Sequence, residues 1–386
     1  MLFTEPIFLF CFLPILLGLY FLPTAASSRV GSGRDGDGSD RIRIAGRVHG
    51  EYANWLLLVA SVIFYASGGG SFTWLMLASI TFNYWMAIAV DRARATSEGR
   101  ATTVLGFAIG ANLVVLGWFK YANFFATNVS AVLHAIGGPS FTLPEVLLPI
   151  GISFYTFHSI SYIVDAYKGT IRPTRNFWEY ATYVSLFSQL VAGPIVRFRQ
   201  VEHDLHHLGD APRTEQRDRG WSLFTLGLAK KVLIANTVAV PADQIFGMPT
   251  DQLTPGLAWL GIVCYTLQIY FDFSGYSDMA IGLSLCFGID LPVNFNSPYR
   301  ATSIIEFWRR WHISLSTWLR DYLFIPLGGS RGTPGQTARN LMITMVLGGL
   351  WHGASWTFII WGAIHGALLI AERRFGRRAD VTGSGT

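Results

Sequence analysis

The chain predicts an all-α fold, a polytopic transmembrane helical bundle, on three observations. Of its 386 residues 51% are apolar, 15% aromatic and only 14% charged, where an ordinary soluble domain carries roughly 25% charged residues. Several windows approach the roughly 20 apolar residues that a helix needs to cross a bilayer. Between those windows the basic residues alternate. Pro23–Asn54 holds five arginines, Asp91–Arg100 three, Lys168–Asn176 three basic residues and Val196–Gly220 five. Ser67–Gly70 and Pro241–Thr254 hold none, and Lys120–Glu145 only Lys120. That alternation is the positive-inside pattern, which puts the N-terminus outside and the basic loops in the cytoplasm. The net charge of +5 therefore reads as topology and attraction to anionic lipid, with no nucleic acid implied. No polar stretch is long enough to fold alone, so residues 1–372 are expected to form a single membrane domain. The basic polar tail 373–386 is expected to be disordered.

The first helix, about Ile7–Leu22, lacks a positive n-region and only loosely matches a cleavage site, so it is expected to be retained. The Gly/Ser/Asp-rich segment 29–41 that follows is expected to be mobile. Asn54–Ala66 and Phe72–Val90 predict a hairpin around three glycines. Ala101–Phe119 then runs out, and Val146–Ala166 returns after Pro144 and Pro149 have interrupted its start. Phe177–Pro194 is apolar but flanked by basic loops on both sides. It is expected to be a re-entrant or interfacial helix pair, because irregular backbone at that depth is tolerated only where protein or a cavity covers it.

Trp221–Val240 predicts a crossing with Lys230 and Lys231 near its middle. Adjacent lysines point about 100° apart on a helix, so they read either as snorkelling ends or as a polar groove for an anionic donor. Glu202–His207 (E-H-D-L-H-H) sets His203 and His207 at helical i, i+4 spacing, but no third ligand is compelled. The expectation is a solvated face and no metal site. The cysteines Cys11, Cys264 and Cys286 lie in apolar runs without C-x-x-C spacing and read as small buried hydrophobes.

Asp272 and Asp278 interrupt the apolar Tyr265–Gly288. Each would cost roughly 2.5–3.5 kcal/mol at a helix centre, so they are expected to face a wet interior or to pair with Arg309 or Arg310. Ser303–Leu323, dense in Trp and Arg, predicts an amphipathic helix at the cytoplasmic face. The last apolar run, about 32 residues from Arg339 to Arg373, would be about 48 Å as one helix against a ~30 Å hydrocarbon core. Gly348, Gly349 and Gly353 therefore predict a break near His352, which leaves open a hairpin or one broken crossing. His352 is an ionisable group among glycines, tryptophans and aliphatics. A histidine at lipid depth is a functional candidate by default. His158 and His365, in apolar helices, read as packing or polar glue.

Five ordered segments carry a resemblance: L-P-I-G-I-S-F-Y-T-F-H-S-I-S-Y-I-V-D (148–165), Q-L-V-A-G-P-I (189–195), Q-I-Y-F-D-F-S-G-Y-S-D-M-A-I-G (268–282), F-W-R-R-W-H-I-S-L-S-T-W-L-R-D-Y-L-F-I-P-L-G-G (307–329) and L-G-G-L-W-H-G-A-S-W (347–356). With these the chain resembles the membrane-bound O-acyltransferases (MBOAT), in particular the bacterial alginate O-acetyltransferase branch. The match is dense over 148–366. It implies re-entrant and interfacial helices around a central tunnel, in a multi-pass protein of the bacterial inner membrane. The implied activity is transfer of an acyl group, here acetyl, to hydroxyls of an extracytoplasmic polysaccharide or to a partner acetyltransferase. No bound cofactor is implied; acetyl-CoA or an acyl carrier would be the co-substrate. The resemblance places the family's catalytic histidine on His352 and its second family position on His312. Such chains continue through further helices past the W-H-G segment, so this one reads as a short variant or a truncation.

The chemistry fits the residues. Acyl transfer to an alcohol needs a base, and neutral imidazole suits this near its ordinary pKa of about 6.5. Burial should keep His352 neutral. If a helix begins after it, backbone N–H groups of Gly353 and Ala354 would serve the oxyanion. Trp351 and Trp356 are expected to wall the cavity, and Arg310 and Asp278 to contribute to substrate binding. Other acceptors are peptidoglycan, or teichoic acid in a D-alanyl transfer. From other classes, a transporter would use the intramembrane Asp and His residues as a proton relay, but the inverted repeats it calls for are not visible. A non-catalytic scaffold of a secretion complex is the last alternative.

Overall fold

The apolar runs become helices wherever proline, glycine and buried charge permit. The computed structural model describes residues 2–30 and 38–375, apart from positions 140, 142, 192, 211 and 213, with side chains from 22 to 48 excluded. All regular structure among the described residues is helical. Among the described residues five helices are long and apolar enough to cross a membrane: His49–Gly69, Phe72–Arg94, Glu98–Ala135, Thr214–Phe246 and Pro255–Cys286. Of the segment 29–41, residues 31–37 lie outside the described residues, and helix occupies both flanks. The chain packs as two compact units, 1–114 with 149–293 and 115–148 with 294–386.

The first unit contains α1 (Leu13–Val30), α2 (Gly38–Gly69), α3 (Phe72–Arg94), the start of α4 (Glu98–Ala135), α5 (Ile152–Lys168), α6 (Phe177–Ser185), α7 (Phe187–Leu190), α8 (Phe198–His206), α9 (Thr214–Ala229), α10 (Asn236–Phe246) and α11 (Pro255–Cys286). Pro144 and Pro149 hold the chain out of helix until Ile152, so α5 begins later than the apolar run does. Its 17 residues span about 26 Å at 1.5 Å per residue, short of a full crossing. The expected helix pair at 177–194 is present as α6 and α7, broken at Leu186. Protein covers its backbone: the Phe187 N–H donates to Ser61 Oγ at 3.0 Å, and Tyr180, Phe187 and Leu190 are fully buried. His158 is polar glue, its Nε2 accepting from the Val196 N–H at 3.2 Å.

A π-helical stretch, Lys230–Ala235, joins α9 to α10 and carries the two lysines into ion pairs with α11. Lys230 Nζ lies 2.6 Å from Asp278 Oδ2, and Lys231 Nζ 2.7 Å from Asp272 Oδ1. Arg309 and Arg310 are therefore not the aspartates' partners, and both lysines are spent on the neighbouring helix. The wider π turn reduces the angle between successive side chains, which lets adjacent lysines share a face. Close approach of α9 and α11 makes the pairs short. A Cβ on Gly227 would stand 2.4 Å from the Gly275 carbonyl oxygen, and one on Gly282 2.5 Å from that of Gly220.

In the second unit the far half of α4 is joined by α12 (Ile304–Arg310), α13 (Ile313–Leu319), α14 (Pro334–His352) and α15 (Trp356–Phe375). The amphipathic stretch is two short helices where one was expected, because the chain breaks at His312 with φ 42 and ψ 55. The last apolar run is a hairpin. Across it Gly349 faces Phe358 and Gly362, Gly362 faces Met345, and Gly366 faces Met342, an antiparallel register. Residues 373–375 of the expected tail are helical; the remainder lies outside the described residues.

Candidate active site

Two breaks in helical geometry, after His352 and at His312, both in the second unit, build the site. α14 stops at His352, a three-residue turn follows, and α15 starts at Trp356. Gly353 is extended, and its ring-side space is filled: a Cβ there would lie 2.3 Å from the Phe358 ring. His352 thus ends a helix where Gly353 had been expected to begin one. The Gly353 N–H is turned back to the Gly349 carbonyl at 3.4 Å and does not point out as an oxyanion donor. The helix end has another use. The negative end of the helix dipole favours a cationic imidazolium, the species a histidine base becomes on taking a proton.

The terminal carbonyls of α14, orphans of any helix end, are satisfied from α4. Lys120 Nζ donates to the Trp351 carbonyl, and Tyr121 Oη donates to that of Leu350 at 2.9 Å. Lys120 also stands 5.4 Å from the Trp351 ring centroid, within cation–π range. Neither residue stood out in the sequence. α4 runs on to Ala135, so what reads as a sparsely charged loop is helix, and Lys120 lies within it.

His312 and His352, 40 residues apart, both contact one indole. The Trp351 ring centroid is 5.9 Å from His312 and 4.9 Å from His352, edge-on to both. His312 is fully buried. Its Nδ1 lies 3.1 Å from Asn294 Oδ1, which also accepts from the Ser314 N–H and hydroxyl. Because that oxygen only accepts, Nδ1 carries the proton and Nε2 keeps the lone pair. Burial, and then the nearby His352, lower the pKa of His312 and keep it neutral. The left-handed backbone of a non-glycine residue at this point stores strain of the kind that clusters at functional sites.

His352 itself is exposed. It faces a cavity of about 720 Å³ whose wall also includes Trp308, Trp361, Arg309, Arg320 and Arg373. Trp361 stands edge-on to His352 at 5.1 Å and also contacts His365 at 4.5 Å and Trp308 at 5.8 Å. The arrangement offers an imidazole at the wall of an apolar chamber with guanidinium groups in the same lining. That combination can take an acyl chain and hold an anion.

The other expected site residues lie elsewhere. Trp351 contacts both histidines, and the indole walls of the chamber are Trp308 and Trp361. Trp356 donates from Nε1 to Asn128 Oδ1 at 2.8 Å, which anchors the start of α15. Arg310 is held by Glu306, at 2.7 Å, and by the Asn296 carbonyl; Arg309 lines the cavity. Glu306 is a fixed anion, pulled down to about 2 by the Thr302 N–H first, then the Thr302 hydroxyl and Arg310. Asp278 belongs to the first unit, paired with Lys230. His203 and His207 stack at 4.3 Å, with His207 Nδ1 2.7 Å from the His203 carbonyl oxygen. Among the described residues no group of three or more His, Cys, Asp or Glu could hold a metal ion.

Residues 171–382 match the model of the membrane-bound O-acyltransferase family. Over 376 residues the chain is 48% identical to the "Probable alginate O-acetylase AlgI" of Azotobacter vinelandii, covering 97% of this chain and 69% of that protein. This chain belongs to the membrane-bound O-acyltransferase family. It is 37% identical to the peptidoglycan O-acetyltransferase of Helicobacter pylori over 410 residues, covering 97% of this chain and 71% of the relative. With the teichoic acid D-alanyltransferase of Streptococcus thermophilus it shares 28% identity over 282 residues, 68% of this chain and 65% of that one. Family and long apolar helices together make it a multi-pass membrane O-acyltransferase.

Proposed function

We propose that the chain transfers an acetyl group from a cytoplasmic donor to hydroxyls of an alginate-like exopolysaccharide, directly or through a partner acetyltransferase outside the membrane. The observation that carries this reading is His352 at the wall of the chamber, with a neutral His312 against the same Trp351 indole. His352 acts as the general base: it takes the hydroxyl proton as the oxygen attacks the thioester carbon, and returns that proton to the departing thiolate as the carbon–sulfur bond breaks. The imidazolium formed between these steps sits at the negative end of α14. General-base assistance of this kind contributes roughly 10²–10⁴-fold.

The donor is an acyl thioester with an anionic handle, acetyl-CoA or an acyl carrier. The apolar wall receives the acyl end, and Arg309, Arg320 and Arg373 supply charge for phosphate. The positive-inside pattern supports a bacterial inner-membrane location with the N-terminus outside. The relatives' names supply the acceptor class, and the degree of identity favours alginate-like polymer over peptidoglycan. The test is a His352→Ala strain. It should lose polysaccharide O-acetylation, read by mass spectrometry of secreted and cell-wall glycans, with membrane protein level unchanged. Retained acetylation would sink the assignment and point to a scaffold.

A further inference from the structure

In the first unit, a second cavity of about 750 Å³ opens between α2, the start of α6 and the end of α8. Its chemistry is the reverse of the chamber around His352. Glu51, Glu179 and Asp210 line it together with His206 and His207, and among the described side chains no lysine or arginine does, although the chain as a whole is basic. Two of its polar side chains are more than nine-tenths buried: Glu179 is 6% exposed and Asn54 8%. Among the described residues Asn54 Oδ1 and Glu179 Oε1 meet no donor in hydrogen-bond geometry, although the Glu179 carboxylate as a whole is bonded by the Thr174 hydroxyl. Among the described residues, the group beside Glu179 able to carry positive charge is His206, whose Nε2 stands 3.4 Å from Oε1. Leaving a buried acceptor unsatisfied costs roughly 1–3 kcal/mol, more for a charged group, so a lined cavity with two of them is short of a donor.

The wall supplies the other half of the recognition. Trp55 and Trp178 lean on each other with ring centroids 4.1 Å apart and are about two-fifths exposed, at 42% and 43%. Indole faces attract cations within about 6 Å of the ring. The bottom of the pocket thus asks for N–H donors, its acids ask for positive charge, and its aromatic rim accepts a cation.

We infer that this cavity is a binding site for a protonated primary amine, held by Glu179 and Asn54 and flanked by Trp55 and Trp178. An ammonium group donates three hydrogen bonds, enough for both orphaned oxygens. Two sources carry that group, the ethanolamine headgroup of a membrane phospholipid and a soluble alkylamine. The exposed tryptophan rim, of the kind enriched at headgroup depth, favours the lipid.

Calorimetric titration of the detergent-solubilised chain separates these. Ethanolamine, dihexanoyl phosphatidylethanolamine and dihexanoyl phosphatidylglycerol are each titrated into wild type, Glu179→Gln and Glu51→Gln. Both amines should bind saturably and the phosphatidylglycerol should not. Glu179→Gln should weaken amine binding at least tenfold, and Glu51→Gln, at an exposed position, severalfold without any threat to folding. Short-chain phosphatidylethanolamine binding tenfold tighter than ethanolamine identifies the lipid as source; equal affinities identify a soluble amine. Absence of saturable heat with either amine, or affinities that neither variant alters, overturns the proposal.

Discussion

At the scale of single residues, the site is a set of side chains whose freedom has been removed by backbone ends. His352 ends α14, and that end is held by the Lys120 ammonium and the Tyr121 hydroxyl from α4. Tyr121→Phe removes one donor and leaves the Leu350 carbonyl without it. A hydrogen bond of this kind is worth about 0.5–1.5 kcal/mol net. If the bond positions His352, kcat should fall two- to tenfold with KM for the donor unchanged, as steady-state acetylation kinetics in proteoliposomes would show. An unchanged kcat would reduce Tyr121 to packing. His312 illustrates how far residue-level reading goes. Its burial and its Asn294 partner cannot be seen in W-R-R-W-H-I-S, since Asn294 lies 18 residues upstream and is reached only because the chain reverses at φ 42.

At the scale of elements, breaks were legible and continuations were not. Gly348, Gly349 and Gly353 pointed to an interruption at His352, and it is there, because glycine alone permits the backbone contacts of a tight helix hairpin. A Cβ on Gly362 would stand 2.4 Å from the Met345 carbonyl oxygen, and one on Gly349 2.2 Å from that of Phe358. Gly362→Val should therefore push α14 and α15 apart. Overpacking of this kind costs about 1–3 kcal/mol, which should appear as a lower melting temperature in a thermal scan of the purified chain and as lost acetylation. A melting temperature equal to wild type would show that the hairpin is looser than its geometry implies. The opposite error occurred in α4 and α11. Apolar windows ended where polar residues began, yet the helices ran on, because Lys120 found a carbonyl and Asp272 and Asp278 found lysines.

At the scale of the whole molecule, charge at membrane depth has to be neutralised within the chain. Lys230 sits at the midpoint of the Thr214–Phe246 span, and its pairing with Asp278 removes both charges together. Lys230→Met strands the carboxylate, at roughly 2.5–3.5 kcal/mol on insertion scales. Protein yield in the membrane fraction should fall, and the double variant Lys230→Met with Asp278→Leu should recover most of it, because replacing both partners of an ion pair is often close to neutral. If the double variant is no better than the single ones, the pair serves something other than neutralisation.

By itself the sequence determined the class, the helical architecture and the family, and with them the two histidines. Those depend on composition, on periodicity and on residues adjacent in the chain, and short-range order carries all three. Only the tertiary structure decided which charges neutralise which. Arg310 went to Glu306, four residues away, and the aspartates of α11 went to lysines more than 40 residues upstream. It also decided that no helix begins at Gly353, the condition on which its backbone N–H would have been a donor, and that His352 instead closes α14 at the negative end of its dipole. The lysine–aspartate pairing follows from the close approach of α9 and α11 at glycine. That distance is set by packing between segments remote in sequence, and no local pattern encodes it.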